Sequence, residues 1–274
     1  MTFDALQAVR YASDAADAAA IGADEPMQEL FREQTQSFAA ESFRKRLLAN
    51  AVRIDRQVLP DLDQAIDAIV DRLGMTQKVE AFIFNDPEMQ ACVGPATDGF
   101  HILLSSATVE KLDPRELECV IGHELGHVIY GHLDSPVGIV RSGNGKLDVK
   151  QAMRLLSWGR KQEISADRAG LLCCGSLEVA AATLFKVSSG LCLPGLKVNP
   201  LDIGAQFDAL QTEIFRQGAE EMGMWTLSHP LIPLRMKALS LFWNSDIAGQ
   251  QIPEAPGGNS LELCDRAIDD MLAP

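Results

Sequence analysis

The 274-residue chain has no Cys-x-x-Cys pair, and its six cysteines (Cys92, Cys119, Cys173, Cys174, Cys192 and Cys264) follow no staple-like spacing. That excludes a small disulfide scaffold, and the cysteines read as reduced, buried thiols of a cytosolic protein. A basic excess is missing as well. Lys and Arg total 24 against 38 Asp and Glu, a formal net charge of −14. A chain of that sign has no basic face for non-specific nucleic-acid binding or for adhesion to an anionic membrane. Long apolar runs are absent too, since the most apolar stretch, 171–196, is broken by Glu178, Lys186, Gly190 and Pro194. No membrane span is expected. The first residues, Met1-Thr2-Phe3-Asp4, carry no basic run and reach Asp14 and Asp17 before any apolar one, so no signal peptide is expected. With 47% hydrophobic residues and a mean hydropathy of +0.02, the chain reads as a soluble, cytoplasmic globular protein of one domain or two.

What is present is organised around a scarce residue. Two of the five histidines fall in His123-Glu124-Leu125-Gly126-His127. On a helix, positions four apart lie on one face, so two imidazoles can take adjacent corners of a zinc tetrahedron. Glu124, beside them, can take a proton from water activated by the metal. The helix has its own start signal: Asp113 as N-cap, Pro114 at the first position and Glu116 completing a capping box. Leu117, Ile121, Leu125 and Val128 form its core-facing stripe, and Gly131 ends it.

Around that helix the pattern predicts helices over 3–20, 27–58 and 60–74, then short strands at 79–84, 90–93 and 100–104. Further helices are expected from Leu147 or Asp148 to about Cys174, over 177–189 and 203–223, and through about Trp243. A Pro/Gly-rich linker over 249–259 leads to a last amphipathic helix carrying Leu261, Cys264, Ile268 and Met271. Helices, a small antiparallel sheet and more helices describe an α+β protein. The basic cluster Arg44-Lys45-Arg46 reads as a solvated helix face, and Ser142-Gly143-Asn144-Gly145-Lys146 does not match a P-loop. His101, in a strand without a partner histidine, reads as structural or exposed. His132 falls off the face of the first two histidines and beyond the helix stop, so it stays outside the metal site, and Tyr130 receives no role.

A catalytic zinc needs a third protein ligand and an open position. Glu163, on the later helix, is the candidate. Asp167, one turn on, faces the same way and can accept a hydrogen bond from the outer nitrogen of a ligating histidine.

His-Glu-Leu-Gly-His, then Glu163-Ile164-Ser165-Ala166-Asp167-Arg168, then Ser228-His229-Pro230 with Arg235, resembles the gluzincin metallopeptidases of the HtpX and type I CAAX prenyl protease family. It is closest to soluble bacterial members without transmembrane helices. The resemblance runs from about Phe43 to Gly249. It implies a mostly helical zincin-like domain over 44–249, with a helical extension at 1–43 and a linker plus amphipathic helix at 250–274. It also implies one Zn2+ per chain held by His123, His127 and Glu163, with Glu124 as general base and Asp167 behind the ligands. His229 would donate a hydrogen bond to the oxyanion, and Arg235 would join the catalytic set, either holding that segment through an ion pair or in direct catalytic contact. An edge strand of Gln90, Ala91, Cys92 and Val93 would take an extended peptide, although the family usually places Asn where Gln90 stands. The reading is a zinc endopeptidase acting on peptide or protein substrates, without nucleic acid or membrane insertion. Its oligomeric state and substrate are open. Two rivals remain: a latent, chaperone-like zinc-binding module of the same fold, and a structural zinc protein with a fourth protein ligand.

Overall fold

The computed structural model describes residues 3–35, 40–137, 147–217 and 231–272. The chain runs α1 (Phe3–Val9), α2 (Ala12–Gly22), α3 (Glu25–Thr35), α4 (Ala40–Asn50), β1 (Val52–Arg53) and α5 (Pro60–Arg72). Then come β2 (Lys78–Phe84), β3 (Ala91–Ala96), β4 (Gly99–Ser105), α6 (Ser106–Lys111) and α7 (Pro114–Ile129). A 3-10 turn at His132–Asp134 precedes α8 (Val149–Cys174), α9 (Leu177–Ser189), α10 (Pro200–Gln217), α11 (Ile232–Trp243), α12 (Asp246–Gln251) and α13 (Leu261–Leu272). The α+β class holds, and the molecule is mostly helical. Among the described residues, no helix is long and apolar enough to cross a membrane.

The sheet differs from the antiparallel one expected. Its order is β1-β2-β4-β3, with β2 and β4 parallel and the other two pairings antiparallel. The reason is local. Residues 85–90 carry the chain past the neighbouring position, so β3 runs back at the outer edge and its hairpin folds β4 inward against β2. Gly99, at φ 147°, closes that hairpin, and a Cβ there would meet the Lys78 carbonyl oxygen at 1.9 Å. The order also suits the composition. β4 buries His101, Ile102 and Leu104 completely, whereas Gly94 and Pro95 place β3 at an edge. His101 lies under the rings of Phe43 and Phe82, a structural position. The single helix expected over 27–58 is two, and its end supplies β1.

The helices that carry the motifs start where their caps dictate. On α7, the Asp113 carboxylate accepts from the backbone N–H groups of Arg115 and Glu116 at 2.9 and 3.0 Å, and Glu116 accepts from the Asp113 N–H at 3.0 Å. On α8, Asp148 and Gln151 form the same reciprocal box. Gly175, at φ 64°, ends α8.

The two helices meet along small residues. A Cβ on Gly122 would stand 2.6 Å from Cys173 Cβ, one on Gly126 2.8 Å from Ala169 Cβ, and one on Gly170 2.8 Å from the Cys119 carbonyl oxygen. Glycine is therefore required at the crossing, because any side chain would force the backbones apart. The adjoining face of α7 buries Ile121 and Leu125 in the main core.

Both flanking segments pack onto this pair. Gln7 Nε2 donates to the Ile129 carbonyl at 2.9 Å, Tyr130 Oη to that of Leu6 at 3.1 Å, and the Tyr11 N–H to Ser165 Oγ at 3.1 Å. Arg168, fully buried, lies over the rings of Tyr11 and Phe242 and donates to the Val9 carbonyl and to Asp265. One buried cation on α8 thus ties α1 and α13 to the helix that carries Glu163. All six cysteines are free, but Cys92 is exposed rather than buried, because it sits on the edge strand.

Candidate active site

The close α7–α8 crossing brings His123, His127 and Glu163 together, with one donor atom from each lying within 4.8 Å of the others. His123 Nε2 and His127 Nε2 are 3.2 Å apart. The carboxylate oxygens of Glu163 lie 3.5 Å from His123 Nε2 and 3.9 Å from His127 Nε2. Bonds of ~2.0–2.1 Å in a tetrahedron require donor separations of about 3.3–3.4 Å. The three groups therefore fit a zinc ion with only small adjustment of Glu163.

The electrostatics agree. Burial disfavours charge on the His123 ring, yet hydrogen bonds to Asp167 and Glu163 outweigh it and hold its pKa at about 10. Two carboxylates, Asp167 and Glu163, thus favour positive charge at that ring. On its outer side, His123 Nδ1 is 3.0 Å from Asp167 Oδ1, the contact expected of Asp167. Burial alone would push the Asp167 carboxyl up, but the Arg235 guanidinium and His123 hold it below the usual range. Arg235 donates to both Asp167 oxygens, through Nε at 2.7 Å and Nη2 at 2.5 Å, and its Nη1 lies 3.7 Å from Glu163. This planar fork-to-carboxylate pairing links α11 to α8.

The outer nitrogen of His127 has a partner that sequence reading set aside. His132 Nδ1 lies 2.9 Å from His127 Nδ1. Burial lowers the pKa of His132, which favours the neutral ring.

Glu124 points into a cleft of about 780 Å³, open mouth included, which His123, Glu163 and Arg235 also line. The far wall of that cleft is apolar, with Val120, Leu184, Val187 and Leu239. An adjoining depression is bordered by Ala91, Cys92, Val93, Glu124 and His127. β3, the open edge of the sheet, therefore flanks the site. Its register is informative. The Ser105 N–H donates to the Gln90 carbonyl at 2.9 Å, and Ala91 stands opposite Leu104. Alternation then turns the backbone of Gln90 and Cys92 towards β4 and that of Ala91 and Val93 outward. Among the described residues, the lining of these two depressions includes none from α1, α2 or α13. His229, with Ser228 and Pro230, lies outside the described residues.

The model of peptidase family M48 matches residues 57–143 and 138–241, most of the chain. The chain belongs to that family. A Protease HtpX homolog of Pyrobaculum calidifontis is 30% identical over 132 residues, covering 47% of this chain and 37% of that protein. Homologs with the same description from Pyrobaculum islandicum and Pyrobaculum aerophilum are 34% and 35% identical over 71 residues, each covering 26% of this chain and 20% of the relative. This M48 chain thus spans between a fifth and somewhat over a third of the length of the curated relatives it matches. No solved structure matches it. The gluzincin grouping expected from the motifs is borne out at the level of the family. Asp14 and the early helices precede the M48 match, which begins at residue 57.

Proposed function

We propose that the chain is a zinc-dependent endopeptidase that hydrolyses peptide bonds in an extended substrate. The observation that carries the reading is the convergence of His123 Nε2, His127 Nε2 and the Glu163 carboxylate beside Glu124, in a cleft flanked by an open strand edge. A zinc ion would be held by these three residues and would supply Lewis acidity, bringing the pKa of water towards ~7.

The rest is done by the chain's own groups. Glu124 accepts the proton from water as the oxygen attacks the scissile carbonyl, then delivers it to the leaving amine. Asp167 accepts from His123 Nδ1–H, fixing the tautomer that leaves Nε2 free to ligate. Arg235 keeps Asp167 ionised and oriented, so it acts one step behind the ligands rather than on the substrate. His229 donates to the developing oxyanion, a role resting on the family resemblance. The substrate adds as a strand beside β3, exchanging backbone hydrogen bonds with Ala91 and Val93, which the register turns outward. Cys92 presents its side chain above Glu124, and Gln90 anchors the strand through its bonds to Ser105 and Thr108. Family membership and the protease names of the relatives support the same reading.

Glu124→Gln tests it. The variant should bind zinc as the wild type does and lose peptide cleavage, and a chelator should abolish cleavage by the wild type. Undiminished cleavage of a peptide library by Glu124→Gln would overturn the mechanism.

A further inference from the structure

Asp167 supports one metal-binding histidine. The support of the other comes from a part of the chain that precedes the family match. Beyond His127 Nδ1 stands His132, whose Nε2 lies 3.0 Å from Asp14 Oδ2. Asp14, on α2, is fully buried and held from several elements. Its Oδ2 accepts from Ser165 Oγ at 2.7 Å and Arg10 Nε at 2.8 Å, and its Oδ1 accepts from Trp158 Nε1 at 2.9 Å. A carboxylate fixed by three donors besides His132 is a rigid anchor.

Proton placement along this chain follows from donor and acceptor chemistry. A contact between two ring nitrogens holds a single proton. When His127 Nε2 gives its lone pair to a metal, the proton of that neutral ring sits on Nδ1. His132 Nδ1 is then the acceptor, so the His132 proton sits on Nε2, where Asp14 accepts it. Both hydrogen bonds run in the same direction, from ligand to anchor, and no other assignment of neutral rings satisfies every contact. Gly131, at φ 71°, turns the chain directly after α7 and brings His132 back over the outer edge of His127.

We propose that His132 and Asp14 are positioning residues of the metal site: they lock the tautomer and ring plane of His127 and thereby set the affinity for zinc. The proposal rests on the assignment of His123, His127 and Glu163 as ligands. It makes α2 part of the site's architecture, so an N-terminal helix that touches no substrate acts on the metal through two hydrogen bonds.

The test is zinc affinity of the full chain by competition with a chromophoric chelator. The visible spectrum of the Co2+-substituted protein and the melting of the metal-free form are recorded alongside. His132→Leu should weaken zinc binding about 10–100-fold and alter the Co2+ bands, the usual range for loss of an outer partner. His132→Asn places an amide oxygen where Nδ1 stood, can still accept from His127, and should recover most of the affinity. Asp14→Asn, of unchanged size, should weaken binding several-fold and supplies the test if His132→Leu does not fold. Wild-type zinc affinity in folded His132→Leu or Asp14→Asn overturns the proposal, as does an equal loss in the Leu and Asn variants at 132. If the wild type itself binds no zinc, the ligand assignment falls and takes this proposal with it, which separates the two failures.

Discussion

Replacing Gly126 with alanine is the most direct perturbation of how the two site helices are held together. The new Cβ would lie 2.8 Å from Ala169 Cβ and 3.2 Å from Ala166 Cα. Carbon atoms rest at about 3.5–4.0 Å, so the α7–α8 crossing must open by roughly 0.7 Å at this contact. Overpacking of that kind costs about 1–3 kcal/mol. Alanine regains about 0.5–1 kcal/mol of helix propensity over glycine. The net expectation is a loss of roughly 0.5–2 kcal/mol, or a fall in Tm of several degrees at about 2–4 °C per kcal/mol. Opening the crossing also separates Glu163 from the histidines, and metal sites tolerate only about ±0.2 Å in their bond lengths. Zinc affinity should therefore fall roughly tenfold or more, as it does when ligand-orienting groups are disturbed. Gly22→Ala is the control, because a Cβ there meets nothing within 4 Å. That change should stabilise by about 0.4–1 kcal/mol and leave zinc binding untouched. Combining Gly126→Ala with Ala169→Gly removes the worse contact, and the pair should show a compensating coupling of about 0.5 kcal/mol or more. Melting of the metal-free protein and chelator competition supply both readouts. A Gly126→Ala protein as stable as the wild type and equally tight for zinc would mean that the crossing has slack, and the packing argument would fail.

Arg235→Lys cannot reproduce the two-point contact with Asp167. It should lower zinc affinity and cleavage together, while Arg235→Ala, which leaves the buried Asp167 with His123 as its remaining partner, should cost about 3 kcal/mol of stability. Wild-type stability in the alanine variant, measured by urea unfolding, would contradict the pairing. Away from the site, hydrogen bonds from Arg44 hold Glu80 at a pKa of about 2, against burial. A depressed pKa contributes stability above the unfolded value of about 4.3 and loses it as pH falls through that range towards about 2. Glu80→Gln should therefore flatten part of the acid limb of a urea-midpoint profile between those limits and leave the profile near neutrality parallel to the wild type. An unchanged acid limb would show that the Arg44 pair does not stabilise the fold.

The active-site helix was legible because its information is local. Asp113, Pro114 and Glu116 mark its start within four residues, and His123 and His127 share a face by spacing alone. Glu163 and Asp167 were picked out by the same one-turn spacing, and Glu163 lies 3.5 Å from His123 Nε2 and Asp167 3.0 Å from its Nδ1. Other features depend on partners far away in the chain. The parallel pairing of β2 with β4 follows from where residues 85–90 lead the chain, which strand patterns do not encode. Cys92 lies in an apolar run, yet an edge strand leaves it exposed. His132 fails the helical spacing test because Gly131 reverses the chain before it. Its fifth-position offset from His127 and the following turn were the only local signs. Asp14 carries no local sign at all, being one of two aspartates in an alanine-rich helix. Only its complete burial beside Trp158 and Ser165 distinguishes it. Its donors offset the cost of burying the carboxylate and fix a negative pole there. The ring it faces is the one standing directly behind His127. Physical legibility thus stops at the ligands and their own helices. The groups proposed to orient them, Asp167, Arg235, His132 and Asp14, meet only in tertiary structure, and Asp14 comes from outside the residues that the family model matches.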